Sequence, residues 1–234
     1  MPKALMPVAG LPVVEQVMRI YASQGFDEFV LAVGYLKEDL LTYFRHRTDW
    51  NVECVDTGDI SDTGTRVRLC LEHVGAEFHA TYCDGLGNVD LRSLVEFHSR
   101  HGDGATMTAA PLRSQYGILQ SDSDDRITQF LEKPVLPQYW INAGFFVFDR
   151  EIFAKIEGEN LERDILPKLA ARRHLRVFRH RGFWRSMDTQ KDQQELDVLW
   201  QPFSQDLDDR TPAGGAGVPQ WLHTRYALIA KETA

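Results

Sequence analysis

The sequence predicts an α/β fold built on a doubly wound, mixed but mostly parallel sheet with a small β extension. Helix-like and strand-like segments alternate along most of the chain, which is the pattern of parallel sheets. The clearest helix is 12–24, where apolar residues recur at helical spacing and Gly25 follows. The clearest strand is the continuous apolar run 29–33, which Gly34 ends, as in strands buried on both faces.

The remaining elements continue this alternation in order. A helix is predicted at 37–47, strands at 52–55 and 77–82, a helix at 91–100 and a strand at 105–110. Three strand-like segments between 116 and 148 predict the antiparallel or mixed extension of the sheet. A helix at 161–172, a strand at 175–179 and a helix at 190–200 complete a predicted domain of residues 1–200.

Residues 201–234 are predicted to form a C-terminal tail that is flexible or contacts another subunit. The segment 211–219 is rich in glycine and proline and has the composition of a linker. The last fifteen residues are expected either to form a short packed helix or to be disordered.

Composition narrows the classes of function. The chain of 234 residues is 43% hydrophobic and 26% charged, which is ordinary for a soluble globular protein. Its net charge of −8 argues against a nucleic-acid-binding surface, and an anionic substrate would need local cations or a metal ion. The three cysteines, Cys54, Cys70 and Cys83, lack CxxC spacing, so the sequence suggests neither a disulfide framework nor a zinc site. No apolar run reaches the roughly 18 residues of a membrane span. We therefore expect a cytoplasmic protein with neither nucleic-acid nor membrane partners.

Two acidic turns carry the chemistry. Asp84 follows the predicted strand 77–82, and Asp188 precedes the predicted helix 190–200. Ligands of open α/β sheets bind where strands end, and two carboxylates without nearby His or Cys suit Mg²⁺. Lys133 would bring a cation to the same cleft, so the set suggests phosphoryl or nucleotidyl transfer. The alternative is that Asp84 caps a turn and Asp188 a helix start.

A series of short motifs, in order along residues 2–200, resembles the sugar-1-phosphate nucleotidyltransferases, and within them the glucose-1-phosphate cytidylyltransferases. The motifs are Pro-Lys-Ala-Leu-Met-Pro-Val at 2–8, Gly-Tyr at 34–35, Val-Asp-Thr-Gly at 55–58, Thr-Gly-Thr-Arg at 63–66, Cys-Asp-Gly at 83–85, Glu-Lys-Pro at 132–134, Trp-Ile-Asn-Ala-Gly-Phe-Phe-Val at 140–147, and Gly-Phe-Trp through Met-Asp-Thr at 182–189. Each motif alone is weak evidence, but the ordered set is specific.

The resemblance implies a Rossmann-like nucleotidyltransferase fold and a reaction. A nucleoside triphosphate, with CTP favoured, and a sugar 1-phosphate would give a nucleotide sugar and pyrophosphate. Mg²⁺ would be held by Asp84 and Asp188, while Lys3 would lie against phosphates and Lys133 would bind the phosphate of the sugar. The alternatives are a frayed terminus for Lys3 and a solvent-facing side chain for Lys133. The family also makes a homo-oligomer plausible.

The resemblance also implies two groups of substrate-binding residues. Sugar contacts would come from Glu132, Asn142 and Glu162, with Gly144 allowing close approach, although Glu162 equally suits a helix start. The side that binds the base would be formed by Thr57, Gly58, Thr63, Gly64 and Arg66, and Gly85 is a further expected substrate-binding residue. The alternative for the base side is a mobile polar loop at 56–65.

The chain also departs from this family. Members carry Gly-Gly-x-Gly-Thr-Arg after a first strand in the middle of the sheet, whereas this sequence starts at Met1-Pro2-Lys3. We expect two unpaired strands there, and three explanations stay open: a late start, a homologue without catalysis, or a strand supplied by a neighbouring chain. Two further functions follow as alternatives, a non-catalytic sugar-phosphate-binding protein and an enzyme that makes dTDP-, UDP- or GDP-sugars.

Overall fold

The computed structural model of the protein describes residues 1–45, 47, 50–101, 104–210 and 226–229. The described strands are β1 (Pro7–Val8), β2 (Leu11–Pro12), β3 (Glu28–Val33), β4 (Asn51–Asp56), β5 (Glu77–Tyr82), β6 (Gly85–Gly87), β7 (Ala105–Arg113), β8 (Ile118–Ser121), β9 (Ile127–Leu131), β10 (Val135–Asp149), β11 (Leu175–Arg179), β12 (Trp184–Ser186) and β13 (Tyr226–Ile229). The described α-helices are α1 (Val13–Ala22), α2 (Lys37–Phe44), α3 (Thr63–Leu69), α4 (Leu91–His101), α5 (Arg150–Ala154), α6 (Leu166–Ala171), α7 (Gln190–Leu199) and α8 (Gln201–Arg210). Short 3-10 helices cover Lys3–Leu5 and Leu71–His73, and a π-helix covers Leu161–Ile165.

A seven-stranded sheet with the order β11-β7-β10-β5-β13-β3-β4 forms the centre of the molecule. Strand β10 runs antiparallel to its neighbours β5 and β7, and the other pairs in this sheet are parallel. The predicted α/β class with a mixed, mostly parallel sheet is therefore confirmed. The predicted β extension is the antiparallel β8–β9 hairpin together with the first half of β10.

Helices cover both faces of this sheet, as the alternating pattern predicts. Along β10, Phe145 and Val147 pack with α1, α2, α4 and α7, whereas Phe146 and Phe148 pack with α3, α5 and α6. Successive side chains of a strand point to opposite faces, so one strand contributes to two cores. Among the helices in the described ranges, none is both long and apolar enough to cross a bilayer.

Most predicted elements are present, and the differences are local. The strands at 77–82 and 175–179 coincide with β5 and β11. The predicted helix at 161–172 begins as the π-helix and continues as α6. The interpretation of 56–65 as a polar loop is wrong from Thr63 onward, because Asp62 caps α3 by accepting a hydrogen bond from the Thr63 N–H.

The middle of the sheet differs from expectation. Strand β13 lies between β3 and β5 and pairs with both in parallel, with Leu228 opposite Leu31 on one side and Thr81 on the other. The expected gap with two unpaired strands is therefore wrong, and so is a short helix or disorder for 226–229. Buried backbone groups need partners, and a short run such as Tyr-Ala-Leu-Ile can satisfy those of both neighbours as a strand.

The first part of the predicted tail is also ordered on the domain. Arg19 in α1 donates hydrogen bonds to the Ser204 hydroxyl and carbonyl of α8, each at 2.8 Å, and both residues are buried. Trp200 donates its indole N–H to Gln16 in the same buried group. The predicted linker at 211–219 lies outside the described residues.

Candidate active site

The candidate site lies at the edge of the sheet where the parallel strands end. Gly34 follows β3, Thr57 follows β4, and Asp84 comes two residues after the end of β5. Because β10 is antiparallel to β5, its first half, which contains Asn142, lies at this same edge. A β-bulge between Asn142 and Phe146 interrupts the ladder there, as bulges often do beside active sites.

A two-stranded ribbon brings the two acidic turns together. Asp84 immediately precedes β6, Asp188 follows β12 by two residues, and Gly85 of β6 pairs with Ser186 of β12. The Met187 N–H donates to the Asp84 carbonyl at 2.8 Å and continues this pairing beyond the ribbon. The ribbon explains how residues remote in sequence become neighbours.

The start of α7 fixes the backbone beside Asp188. Thr189 is the N-cap, and it forms a reciprocal capping box with Asp192. The Ser186 hydroxyl donates to Asp188 Oδ2 at 2.8 Å and orients the carboxylate. Trp184 donates its indole N–H to the Ala143 carbonyl at 2.7 Å and attaches the ribbon to β10.

Lys3 joins the two carboxylates. Its Nζ lies 2.8 Å from Asp84 Oδ2 and 3.2 Å from Asp188 Oδ1. Burial by itself would lower the pKa of the Lys3 ammonium, but the charge and hydrogen bond of Asp84, followed by those of Asp188, outweigh it and raise the pKa. Lys3 therefore stays charged at neutral pH and is ion-paired rather than a frayed terminus.

The acidic pair fits a hard divalent cation. Asp84 is almost buried, with 7% of its side chain exposed, whereas 54% of the Asp188 side chain is exposed. The two carboxylates share one lysine ammonium, so one negative charge of the pair is not balanced by Lys3. The pair can therefore attract a cation. Over the described residues no cluster of three or more His, Cys, Asp or Glu side chains is suited to a metal. An ion here would take its remaining ligands from substrate phosphates and water, as Mg²⁺ commonly does.

A second polar cluster surrounds Tyr82, two residues before Asp84. Tyr82 donates its hydroxyl to Glu162 Oε1, and the Thr63 hydroxyl donates to Glu162 Oε2 at 3.2 Å. Asn142 Oδ1 accepts the Gly144 N–H at 2.8 Å. Gly144 lies against the Tyr82 ring. The structure thus brings together the predicted sugar-binding residues Asn142, Gly144 and Glu162, and it adds Thr63 from the predicted base side.

The other residues of the predicted base side are packed in two places: Thr57, Gly58 and Arg66 at the ends of β3 and β4, and Gly64 against the π-helix. The buried Arg66 guanidinium donates to the Thr57 hydroxyl at 2.7 Å, and a side chain on Gly34 would meet that guanidinium. Gly58 has a φ of +82°, which favours glycine, and its N–H donates to Asp56. A side chain on Gly64 would meet Ile165 and the Glu159 carbonyl.

Glu132 and Lys133 connect β9 to β10 and are exposed. The Lys133 carbonyl accepts a hydrogen bond from Arg113 at 3.5 Å, and Lys133 has a φ of +44°. Among the described residues, neither Glu132 nor Lys133 forms a side-chain hydrogen bond or ion pair with the acidic pair or with the cluster around Tyr82. Their predicted contacts with substrate therefore stay predictions.

Tyr82 is the site residue that the sequence reasoning missed. Its position two residues before Asp84 was a signal, because it lies at the end of a strand beside a predicted ligand. The apolar run that it ends made it look like part of the core. Its hydroxyl partner Glu162 is 80 residues away, and sequence spacing does not reveal such a pair.

Comparisons with known proteins identify the family of the chain. The family model described as nucleotidyl transferase matches residues 1–194. Glucose-1-phosphate cytidylyltransferase from Salmonella typhi is 33% identical over 227 residues, covering 86% of this chain and 88% of that protein. A probable glucose-1-phosphate cytidylyltransferase from Bacillus subtilis is 32% identical over 225 residues, covering 85% and 88%.

A solved structure shows the same fold. The crystal structure of HddC from Yersinia pseudotuberculosis, complexed with GMP-PN, aligns with a TM-score of 0.65 at 16% identity, covering 86% of this chain and 90% of that one. The resemblance inferred from the ordered motifs is therefore confirmed. The chain is an enzyme of the nucleotidyl transferase family, related to the transferases that act on sugar 1-phosphates.

Proposed function

We propose that the protein joins a nucleoside triphosphate to a sugar 1-phosphate, releases pyrophosphate, and uses CTP and glucose 1-phosphate to make CDP-glucose. The observation that carries the proposal is Lys3 between Asp84 and Asp188 at the carboxyl edge of the sheet. The Lys3 ammonium can contact a phosphate, and the two carboxylates can hold a metal ion. Such a set suits a reaction between two phosphate groups, because it offsets their negative charge. The base and the sugar are proposed from the cytidylyltransferases named above.

The proposed step needs no covalent enzyme intermediate. An oxygen of the sugar phosphate attacks the α-phosphorus in line, forming a new P–O bond. The bond from the α-phosphorus to the bridging oxygen breaks, and pyrophosphate leaves with that electron pair. The attacking oxygen is already ionised, so no general base is required. The protein's task is to position the two phosphates and offset their repulsion.

Asp84 and Asp188 would hold Mg²⁺, which would neutralise the charge that develops on the phosphates. With an ion bound to the carboxylates, the Lys3 ammonium would be released toward a phosphate, since its side chain already reaches both acids. Lys133 and Glu132, in the exposed connection between β9 and β10, would bind the sugar phosphate. Glu162 would accept hydrogen bonds from sugar hydroxyls, and Asn142 would accept or donate them.

The role of Lys3 can be tested by metal binding alone. Because Lys3 and a divalent ion would share the same oxygens, Lys3→Met should raise the affinity for Mn²⁺ about fivefold or more, the effect of losing one competing ion pair. Electron paramagnetic resonance titration without nucleotide measures this affinity. Lys155→Met, which removes a lysine paired with Glu151 on the surface, controls for the change in net charge. Equal Mn²⁺ affinities in the two variants would contradict competition at the acidic pair.

A substrate panel tests the reaction. Pyrophosphate release should be fastest with CTP and glucose 1-phosphate, compared with dTTP, UTP and GTP and with mannose 1-phosphate, and chelation by EDTA should abolish it. A faster reaction with another pair keeps the chemistry and replaces the proposed product. Calorimetry with each substrate alone gives the second readout. Binding of glucose 1-phosphate without turnover for any triphosphate would favour the non-catalytic interpretation.

A further inference from the structure

Tyr82 lies at the centre of the second polar cluster, which contains the predicted sugar-binding residues Asn142, Gly144 and Glu162. Tyr82 ends β5, is 7% exposed, and donates its hydroxyl to Glu162 Oε1. Burial, and then the Glu162 carboxylate, raise the pKa of the Tyr82 hydroxyl above its ordinary value, while a side-chain hydrogen bond with Asn142 acts in the opposite direction. The hydroxyl therefore keeps its proton at working pH and donates a hydrogen bond to a carboxylate in the π-helix.

The ring of Tyr82 has little freedom to move the hydroxyl elsewhere. Gly144 has a φ of +77°, and a Cβ built on it would lie 2.7 Å from the Tyr82 ring. The Tyr82 ring also packs edge-on against Phe146, with the ring centroids 5.8 Å apart. The absence of a side chain at Gly144 thus allows the ring to lie where its hydroxyl reaches Glu162.

Glu162 retains capacity for a ligand in this arrangement. A carboxylate has about four acceptor positions. Within the described part of the chain, the Tyr82 and Thr63 hydroxyls each occupy one of these acceptor positions. Glu162 lies in a π-helix, a feature that is frequent at functional sites. The carboxylate is therefore oriented by the protein and still able to accept hydroxyl groups.

Resting on the function proposed above, we infer that Tyr82 is a positioning residue for the sugar: its hydroxyl orients the Glu162 carboxylate so that the carboxylate meets the sugar hydroxyls. This assigns Tyr82 to recognition of the sugar ring rather than to the phosphate or the metal. Tyr82 acts through Glu162, so removing its hydroxyl should affect sugar binding and leave phosphate binding unchanged.

Tyr82→Phe is the direct test, since it keeps the ring against Gly144 and removes only the hydroxyl. Calorimetry should show glucose 1-phosphate binding about tenfold more weakly, the effect of losing one hydrogen bond to a charged group. The dissociation constant for inorganic phosphate should stay within twofold of the wild-type value. Tyr43→Phe is the matched control, because the Tyr43 hydroxyl also donates to a carboxylate, that of Glu15 between α1 and α2.

A double-mutant cycle separates positioning from a general structural effect. In a Glu162→Gln background, Tyr82→Phe should weaken glucose 1-phosphate binding by less than about twofold, because the two residues act as one unit. Additive losses, equal losses for phosphate, or an unchanged Tyr82→Phe constant would each overturn the role of Tyr82 while leaving the proposed function standing. Wild-type protein that binds neither glucose 1-phosphate nor mannose 1-phosphate would overturn the proposed function itself.

Discussion

Replacing Asp84 or Asp188 by asparagine is expected to lower the turnover number by at least about 100-fold, the scale of losing one group that stabilises charge in the transition state. Asparagine keeps the shape of the side chain but removes the negative charge that both Lys3 and a divalent ion would use. The affinity for Mn²⁺ should fall in parallel. Steady-state pyrophosphate release and Mn²⁺ titration measure the two effects.

The same substitution distinguishes the proposed role from simple capping. Asparagine caps turns and helices nearly as well as aspartate, so a merely capping Asp84 or Asp188 would tolerate it. Asp90→Asn is the matched control, because Asp90 accepts hydrogen bonds from the Ser93 N–H and hydroxyl at the start of α4. If Asp84→Asn and Asp188→Asn keep the activity of Asp90→Asn, the acidic pair has no catalytic role.

Leu228→Pro in β13 is expected to lower the free energy of unfolding by about 3 kcal/mol or more. β13 is hydrogen-bonded on both edges, to β3 and to β5, and it is the link between the two halves of the sheet. Proline removes one backbone N–H and leaves a neighbouring buried group without its partner. Because a domain has only about 5–15 kcal/mol of total stability, a large part of the protein should unfold. Urea denaturation measures the change.

Gln129→Pro in β9 provides the comparison. It also removes a backbone N–H from a strand, but among the described strands β9 pairs with β8 alone, in an exposed two-stranded hairpin. We expect it to change the free energy of unfolding by less than about 1 kcal/mol. Hydrogen exchange should quicken in β3 and β5 for Leu228→Pro alone. Matching stability of Leu228→Pro and the wild type would show that β13 is not part of the folded sheet.

Much of the fold was predictable because local patterns match the final environment. The alternation of strand-like and helix-like segments located β5 and β11 to the residue. Asp84 was recognisable because it follows a predicted strand, and Asp188 because it precedes a predicted helix. The start of α3 was missed because one capping residue, Asp62, converts a polar segment into a helix without a long apolar pattern.

The sequence by itself determined the α/β class, the order of most elements, the family, and which two carboxylates carry the proposed chemistry. Only the tertiary structure decided which residues meet: Lys3 between the two acids, Tyr82 against Glu162, and β13 between β3 and β5. The reason is physical. Secondary structure depends on periodicity within a window of about 11–18 residues, whereas these contacts join segments about 80 to 200 residues apart and depend on how the sheet orders its strands.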